Sequence, residues 1–300
     1  MSKYDNQSIS ALKGADRVRL RPGVIFGSDG LEGCEHSFFE ILSNSIDEYK
    51  EGNGNVIEIT RFKDNSIMIK DYGRGCPVDF NEKEDRYNWE LVYCELYAGG
   101  KYKNNTGENY EFSLGLNGLG SCATQYSSEY MDVTVFRDGY KYELHFEKGN
   151  NIGGLKREKC NYESTGTIQK WKPDLEVFTD IAIPLDFFVI TLKKQAVVNA
   201  GLTFKFFDEE TGEEYVFYYE NGIVDYIKER AGETSFTGIE YYESSGKGRD
   251  RADKPEYKVK VQVAFCFNNQ ENLLEYYHNS SYLEHGGSPD KNNKNAFVYE

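Results

Sequence analysis

Glu40, Asn44 and Asp47 stand at i, i+4 and i+7, a spacing that can do chemistry. At about 100° per residue they share one narrow stripe of a helix, and His36 lies one turn earlier on the same stripe. Three oxygen donors pointing into one small volume suit a hard cation such as Mg²⁺ and a polarised water. The element that must position them is a helix predicted from His36 to Glu51, HSFFEILSNSIDEYKE. Its opposite arc carries Phe38, Phe39, Ile41, Leu42, Ile46 and Tyr49, so the helix is expected to bury that side. An ordinary amphipathic helix also turns a polar stripe outward, but usually with Lys, Arg and Glu mixed. This stripe has no cation except His36, and it includes an amide.

Three further stretches are of the same kind. Val56 to Lys70 reads as a hairpin turned at Lys63-Asp64-Asn65-Ser66. Its second strand runs into Asp71-Tyr72-Gly73-Arg74-Gly75-Cys76-Pro77, a carboxylate followed by Gly-x-Gly, which lets a planar ligand approach the backbone. Ser113 to Gly120, with glycines at 115, 118 and 120, leads into a small-residue helix start at Ser121-Cys-Ala-Thr. Glycines opening a helix can cradle phosphate on free N–H groups, although most such loops are only turns. Ser164-Thr-Gly166-Thr167-Ile168 opens a strand that ends in Trp171-Lys-Pro173-Asp174.

In this order the motifs resemble the ATPase superfamily of gyrase, the heat-shock-ninety chaperones, histidine kinases and the MutL repair proteins. Within it, the chain is most similar to the B-type subunits of bacterial type IIA topoisomerases. Ala15-Asp-Arg17-Val-Arg19-Leu-Arg21-Pro22-Gly23 and Ala98-Gly99-Gly100-Lys101-Tyr102 carry that closer likeness, together with Thr165-Gly166-Thr167 and Trp171-Lys-Pro173-Asp174. The resemblance implies an α+β fold, a mixed and mainly antiparallel sheet with helices on one face, followed by the start of a second α/β (transducer) domain. It implies ATP and Mg²⁺ as cofactors. Glu40 would be the general base with His36 behind it, and Asn44 the Mg²⁺ ligand with Asp47 and Glu48 supporting. Asp71 would accept the adenine 6-amino proton, Thr167 would share a water with it, and Gly73 and Gly75 would admit the ring, with Arg74 over its edge. Gly115, Asn117, Gly118 and Gly120 would form the phosphate loop, with Lys101 as its cation. Arg74, Pro77 and Arg137 would border the pocket that inhibitors reach.

Three positions depart from the family pattern. Tyr72 stands for a second Asp, Ile25 for a Tyr, and Glu111 for a phosphate-side Lys. They bear on nucleotide and inhibitor affinity rather than on fold. The resemblance further implies a homodimer closed through an arm at residues 1–20, an ATP-binding domain at 21–225 and a partial transducer at 226–300. The transducer lysine that reaches the γ-phosphate is expected beyond Glu300. An A-type subunit that cuts and rejoins DNA would be the partner. Other expectations compatible with these motifs are a catalytically idle nucleotide-gated dimerisation module and a chaperone or repair ATPase.

Composition bounds these readings. The formal net charge of −15 argues against a broad DNA-gripping surface, so DNA would be met through the assembled enzyme. No run of about 18 apolar residues is present, which excludes a spanning helix. The N-terminus lacks the pattern of a secretory signal, and the six Cys lack a C-x-x-C pair, so reduced thiols in the cytoplasm are expected. Along the chain, helices are predicted around Asn88–Tyr97, Pro184–Ala200 and Gly222–Arg230, with a mobile lid loop to about Glu111. Hairpins are predicted at Tyr130–Glu147, turned by Arg137-Asp138-Gly139, and at Leu202–Tyr219. Tyr257–Asn268 alternates as a strand, and Leu273–His278 is expected to pair with it. The mixed-charge stretch Lys247–Lys260 reads as a solvated loop.

Overall fold

The structure is a computed structural model and describes residues 11–99, 114, 118–249, 251–253, 256–270 and 272–298. The chain opens with two short helices, α1 (Asp16–Arg19) and α2 (Pro22–Phe26), then the long α3 (Leu31–Lys50). Strands β1 (Val56–Arg61) and β2 (Ile67–Asp71) form the expected hairpin. A small hairpin, β3 (Phe80–Asn81) and β4 (Arg86–Tyr87), leads into α4 (Asn88–Cys94). After α5 (Gly120–Tyr126) come β5 (Ser128–Arg137), β6 (Tyr140–Glu147), β7 (Asn150–Asn151), β8 (Lys156–Lys159) and β9 (Gly166–Pro173). Helix α6 (Leu185–Val198) is followed by β10 (Thr203–Asp208), β11 (Glu213–Phe217) and α7 (Ile223–Ala231).

Nine of these strands make one sheet in the order β11-β10-β1-β2-β9-β5-β6-β7, with β8 paired to β6. Only β1 and β10 run parallel; the other pairs are antiparallel. Register decides which face is buried, because successive side chains alternate. Phe204, Ile57 and Asp71 align across three strands, as do Phe206, Ile59, Ile69, Gln169, Val133 and Leu144 across six. All are buried, whereas Glu58, Lys70, Lys170 and Asp132 project from the other face. Helices cover the apolar face, giving the α+β arrangement that the sequence leads one to expect. In the core, Phe188 of α6 stacks on Phe206 at 5.1 Å and meets Phe38 of α3 edge-on at 4.9 Å.

Beyond the large sheet, β12 (Glu240–Gly248) pairs antiparallel with β13 (Tyr257–Phe265). A short hairpin, β14 (Tyr277–His278) with β15 (Ser281–Tyr282), precedes α8 (Gly287–Val298). The expectation that Leu273–His278 pairs with the strand at Tyr257 is therefore wrong, and the stretch from Lys247 to Lys260, expected as a loop, has its two ends in β12 and β13. Lys247 and Lys258 stand directly opposite each other on the paired strands, and Lys260 stands opposite Ser245. The Lys260 ammonium lies 3.2 Å from Glu243. Near the N-terminus, the polar stretch before residue 20 contributes one core residue, the fully buried Val18. Arg19 anchors it, donating to Asp174 at 2.7 Å and to the Tyr126 carbonyl at 3.2 Å. Residues 1–10 and the lid loop at 100–113 lie outside the described residues.

Candidate functional site

Helix α3 buries Phe38, Ile41, Leu42 and Ile46 completely, and this fixes where its polar stripe must face. Part of that stripe is covered, by α5 at Glu40 and Asn44 and by Leu114 at Asp47, while His36 stays exposed. The Asn44 amide nitrogen donates to Ser121 Oγ at 3.2 Å. Asp47 is 1% exposed, and its Oδ1 accepts the Leu114 N–H at 2.8 Å. Gly120, the first residue of α5, packs directly on Glu40. A Cβ built there would lie 2.2 Å from Glu40 Oε2 and 3.0 Å from Glu40 Cβ, so only glycine fits without displacing that carboxylate. His36 Nε2 reaches Glu40 Oε1 at 3.2 Å, while its Nδ1 lies 3.1 Å from the Phe26 carbonyl. The Glu40 carboxylate beside it holds the imidazole pKa above its usual value, with the Phe26 contact acting the same way against partial burial.

The second group of residues sits on the sheet. Asp71 ends β2 and is 7% exposed. Its two oxygens are held differently. Oδ1 accepts backbone N–H groups from Gly73 at 2.9 Å and Thr167 at 3.2 Å, and Oδ2 accepts the Ser45 hydroxyl at 3.2 Å. Burial pushes the Asp71 carboxyl up to about 6, and Glu48 adds to this, against the lowering by those hydrogen bonds. Thr167 is buried on the same face and its Oγ1 accepts the Cys76 N–H at 2.9 Å. Thr165 Oγ1 donates to the Gly73 carbonyl at 2.6 Å, tying the glycine loop to the start of β9. Gly75 has φ +79°, and a Cβ there would meet the Phe136 carbonyl at 2.7 Å, so this position requires glycine.

At the rim, Arg74 Nε and Nη2 make a two-pronged contact with the Glu48 oxygens, both at 2.9 Å. Pro77 is exposed. Arg137 closes the far side, where its Nη1 donates to the Gly75 carbonyl at 2.8 Å. Gly118 and Gly120 lead into α5, whereas Lys101, Gly115, Asn117 and Glu111 fall outside the described residues. Behind Asp71, the Tyr93 hydroxyl of α4 donates to Gln169 Oε1 at 3.2 Å, and burial keeps Tyr93 and Cys76 protonated, the latter with its pKa pushed up to about 12. Among the described residues, no group of three or more His, Cys, Asp or Glu is arranged to hold a metal ion.

Comparison with known proteins bears on this geometry. No protein-family model matches the chain. It is 31% identical over 277 residues to the B subunit of DNA gyrase from Thermotoga maritima, covering 92% of this chain and 43% of that protein. It is 32% identical over 300 residues to the B subunit of DNA topoisomerase 4 from Bacillus subtilis, covering 98% of this chain and 43% of that protein. The 43K ATPase domain of Thermus thermophilus gyrase B, solved in complex with an aminocoumarin, superposes with a TM-score of 0.68 at 28% identity, over 86% of this chain and 63% of that one. The chain belongs to the family of type IIA topoisomerase B subunits. It spans less than half the length of the curated relatives it matches.

Set in that family, two of the three departures can be placed. The Tyr72 ring lies under the Lys70 ammonium at 4.5 Å, and Ile25 packs against the core beside α3. Sequence reasoning overlooked Ser45, the donor to Asp71 Oδ2. The available signal was a serine between Asn44 and Ile46, next to the apolar arc, where burial demands a partner. It also missed the pairing of Glu48 with Arg74, which lies 26 positions away.

Proposed function

We propose that this chain is the ATP-binding and ATP-hydrolysing region of a type IIA DNA topoisomerase B subunit, and that nucleotide-driven closure of a homodimer is coupled there to DNA strand passage. The observation that carries the reading is Asp71, a buried carboxylate beside Thr167, with α3's Glu40–Asn44 stripe and the start of α5 alongside. In this reading Asp71 accepts the adenine 6-amino proton, where guanine offers a carbonyl instead. Thr167 supports the same ring through a water, while Gly73 and Gly75 let it lie against the backbone. Glu40 polarises the attacking water and takes its proton, and His36, hydrogen-bonded to it, orients the carboxylate.

Mg²⁺ fits the Asn44 amide oxygen if phosphate and water supply most of its other ligands. Asn44 would hold it, and when bound it would neutralise charge developing on the γ-phosphate. Asp47 keeps the loop at Leu114 in place, so it supports the phosphate loop of Gly115, Asn117, Gly118 and Gly120, with Lys101 as cation. Arg74, Pro77 and Arg137 form the rim open to inhibitors. We assign residues 21–225 to the ATP-binding domain and 226–300 to part of a transducer. Residues 1–20 serve as the dimerisation arm, an A-type subunit is the DNA-cleaving partner, and the cytoplasm is the compartment.

Two variants of the full-length protein test the reading. Glu40→Ala should lower turnover by about 10²-fold or more while an ATP analogue still binds within a few-fold. Asn44→Ala should lose binding and turnover together, because it removes the metal's protein anchor. Wild-type turnover in Glu40→Ala would refute the catalytic role.

A further inference from the structure

Asp71 is held by three donors, and they are not equivalent. The Gly73 and Thr167 N–H groups both bond Oδ1, and neither can reverse its role. The proton that neutralises this carboxyl must therefore settle on Oδ2, the same oxygen on which a ligand's amine would compete. One side chain controls that atom: Ser45, 2% exposed, on the turn of α3 that also carries Asn44.

We propose that Ser45 is the positioning residue of the purine site, its hydroxyl holding Asp71 as a charged acceptor so that an amino-bearing base is preferred. This rests on the nucleotide reading above. A buried carboxylate stays ionised only while hydrogen bonds to its charged form offset desolvation. Around Asp71 the opposing balance is severe. Glu48 from α3 adds negative charge, and Cys76 from the glycine loop and Tyr93 from α4 face it as neutral groups. The nearby cations bond elsewhere, Arg74 to Glu48 and Arg137 to the Gly75 carbonyl and Asp138. The Ser45 hydroxyl is thus, among the described residues, the only side-chain hydrogen bond that favours the charged form. Protonated at Oδ2, Asp71 would present a donor to the adenine amine, and the two donors would oppose each other.

The sign follows from the direction of the shift. The Asp71 pKa already lies above the ordinary carboxylate value, at about 6, so the site accepts an amine above that pH and loses this ability as pH falls through it. Ser45→Ala removes a donor to the charged form and moves the loss to higher pH. One unit of upward movement corresponds to about a tenfold loss of affinity once both proteins lie below their midpoints.

The test is isothermal titration of the full chain with a non-hydrolysable ATP analogue from about pH 5.5 to 8.5, comparing wild type, Ser45→Ala, Ser45→Thr and Asp71→Asn. The ratio of wild-type to Ser45→Ala affinity cancels the ligand's own phosphate titration and that of His36. It should stay within about threefold at the alkaline end and widen to about fivefold at about pH 6 and about eightfold at about pH 5.5. Ser45→Thr, which keeps the hydroxyl, should restore the wild-type profile, and melting temperatures at the alkaline end verify folding. A ratio constant across pH would mean that Ser45 only packs, and would overturn the proposal. Asp71→Asn separates the two levels of the argument. If it loses affinity and pH dependence while Ser45→Ala matches wild type, the Ser45 inference fails and the nucleotide reading stands. If Asp71→Asn binds as tightly as wild type at every pH, the adenine reading itself fails.

Discussion

Replacing Gly120 by Ala separates the position of the Glu40 carboxylate, the proposed general base, from the stability of the fold. The added methyl would sit 2.2 Å from Glu40 Oε2, 3.2 Å from Cδ and 3.0 Å from Cβ. Oε2 is the far end of a side chain that is 30% exposed, so it can swing away. The tight approach to Cβ leaves little room to do so within the same rotamer. Leaving the preferred rotamer costs about 0.5–1.5 kcal/mol. Against this, Ala is favoured over Gly in a helix by up to about 1 kcal/mol. The terms nearly cancel, so the melting temperature should stay within about 4 °C of wild type. Turnover should not survive, because a general base displaced from its water forfeits about 10²–10⁴-fold. Binding of an ATP analogue should change by less than about threefold, since the backbone N–H groups at the start of α5 are untouched. The assay is steady-state ATP hydrolysis by the full-length protein, alongside analogue titration and calorimetry. Turnover within about threefold of wild type would show that Glu40 need not stand where Gly120 holds it, and the reasoning would fail.

Two changes away from the site test what holds the sheet together. Arg61 makes a paired contact with the fully buried carboxylate of Asp208, at 2.6 and 3.1 Å. Arg61→Ala should cost about 3–5 kcal/mol by stranding that charge. The Asp208 pKa is lowered chiefly by Arg61 and Thr211 against its burial, so the stabilisation is present above the unfolded carboxylate pKa and lost as pH falls through the lowered value. Urea unfolding from about pH 7 to 3 should show the wild type weakening over that acid range and Arg61→Ala weakening less. Phe188→Ala empties a site between Phe206 and Phe38 and should lower stability by about 3–5 kcal/mol, read as a shift of the urea midpoint at unchanged slope.

Much of this molecule is legible from residue patterns because the relevant forces are local or periodic. Alternation at Val56–Arg61 and the Asn65 turn specify a hairpin, and the apolar arc of α3 specifies which side of it is buried. Pro184 before α6 and Gly201 after it bound that helix by rules acting within a few residues. What escaped depends on partners far away in the chain. Glu240–Gly248 is a polar run without an aliphatic residue, so nothing in its own pattern marks it as the strand that pairs with β13. The partner of the Asp47 carboxylate is the Leu114 N–H, and the capture of Arg74 comes from Glu48 on another element. Ser45 was hidden for the same reason: its importance lies in Asp71, which only the docking of α3 on β2 brings within 3.2 Å.

The central claim is that Asp71 reads an adenine ring. Isothermal titration of the wild-type chain with non-hydrolysable analogues of ATP and GTP, each with Mg²⁺ at a pH well above the Asp71 midpoint, tests it most directly. A buried acceptor that meets an amine in one base and a carbonyl in the other should discriminate by about 10²-fold or more, with one ATP-analogue site per chain. Equal affinity for the two analogues, or no binding of either, would contradict the account.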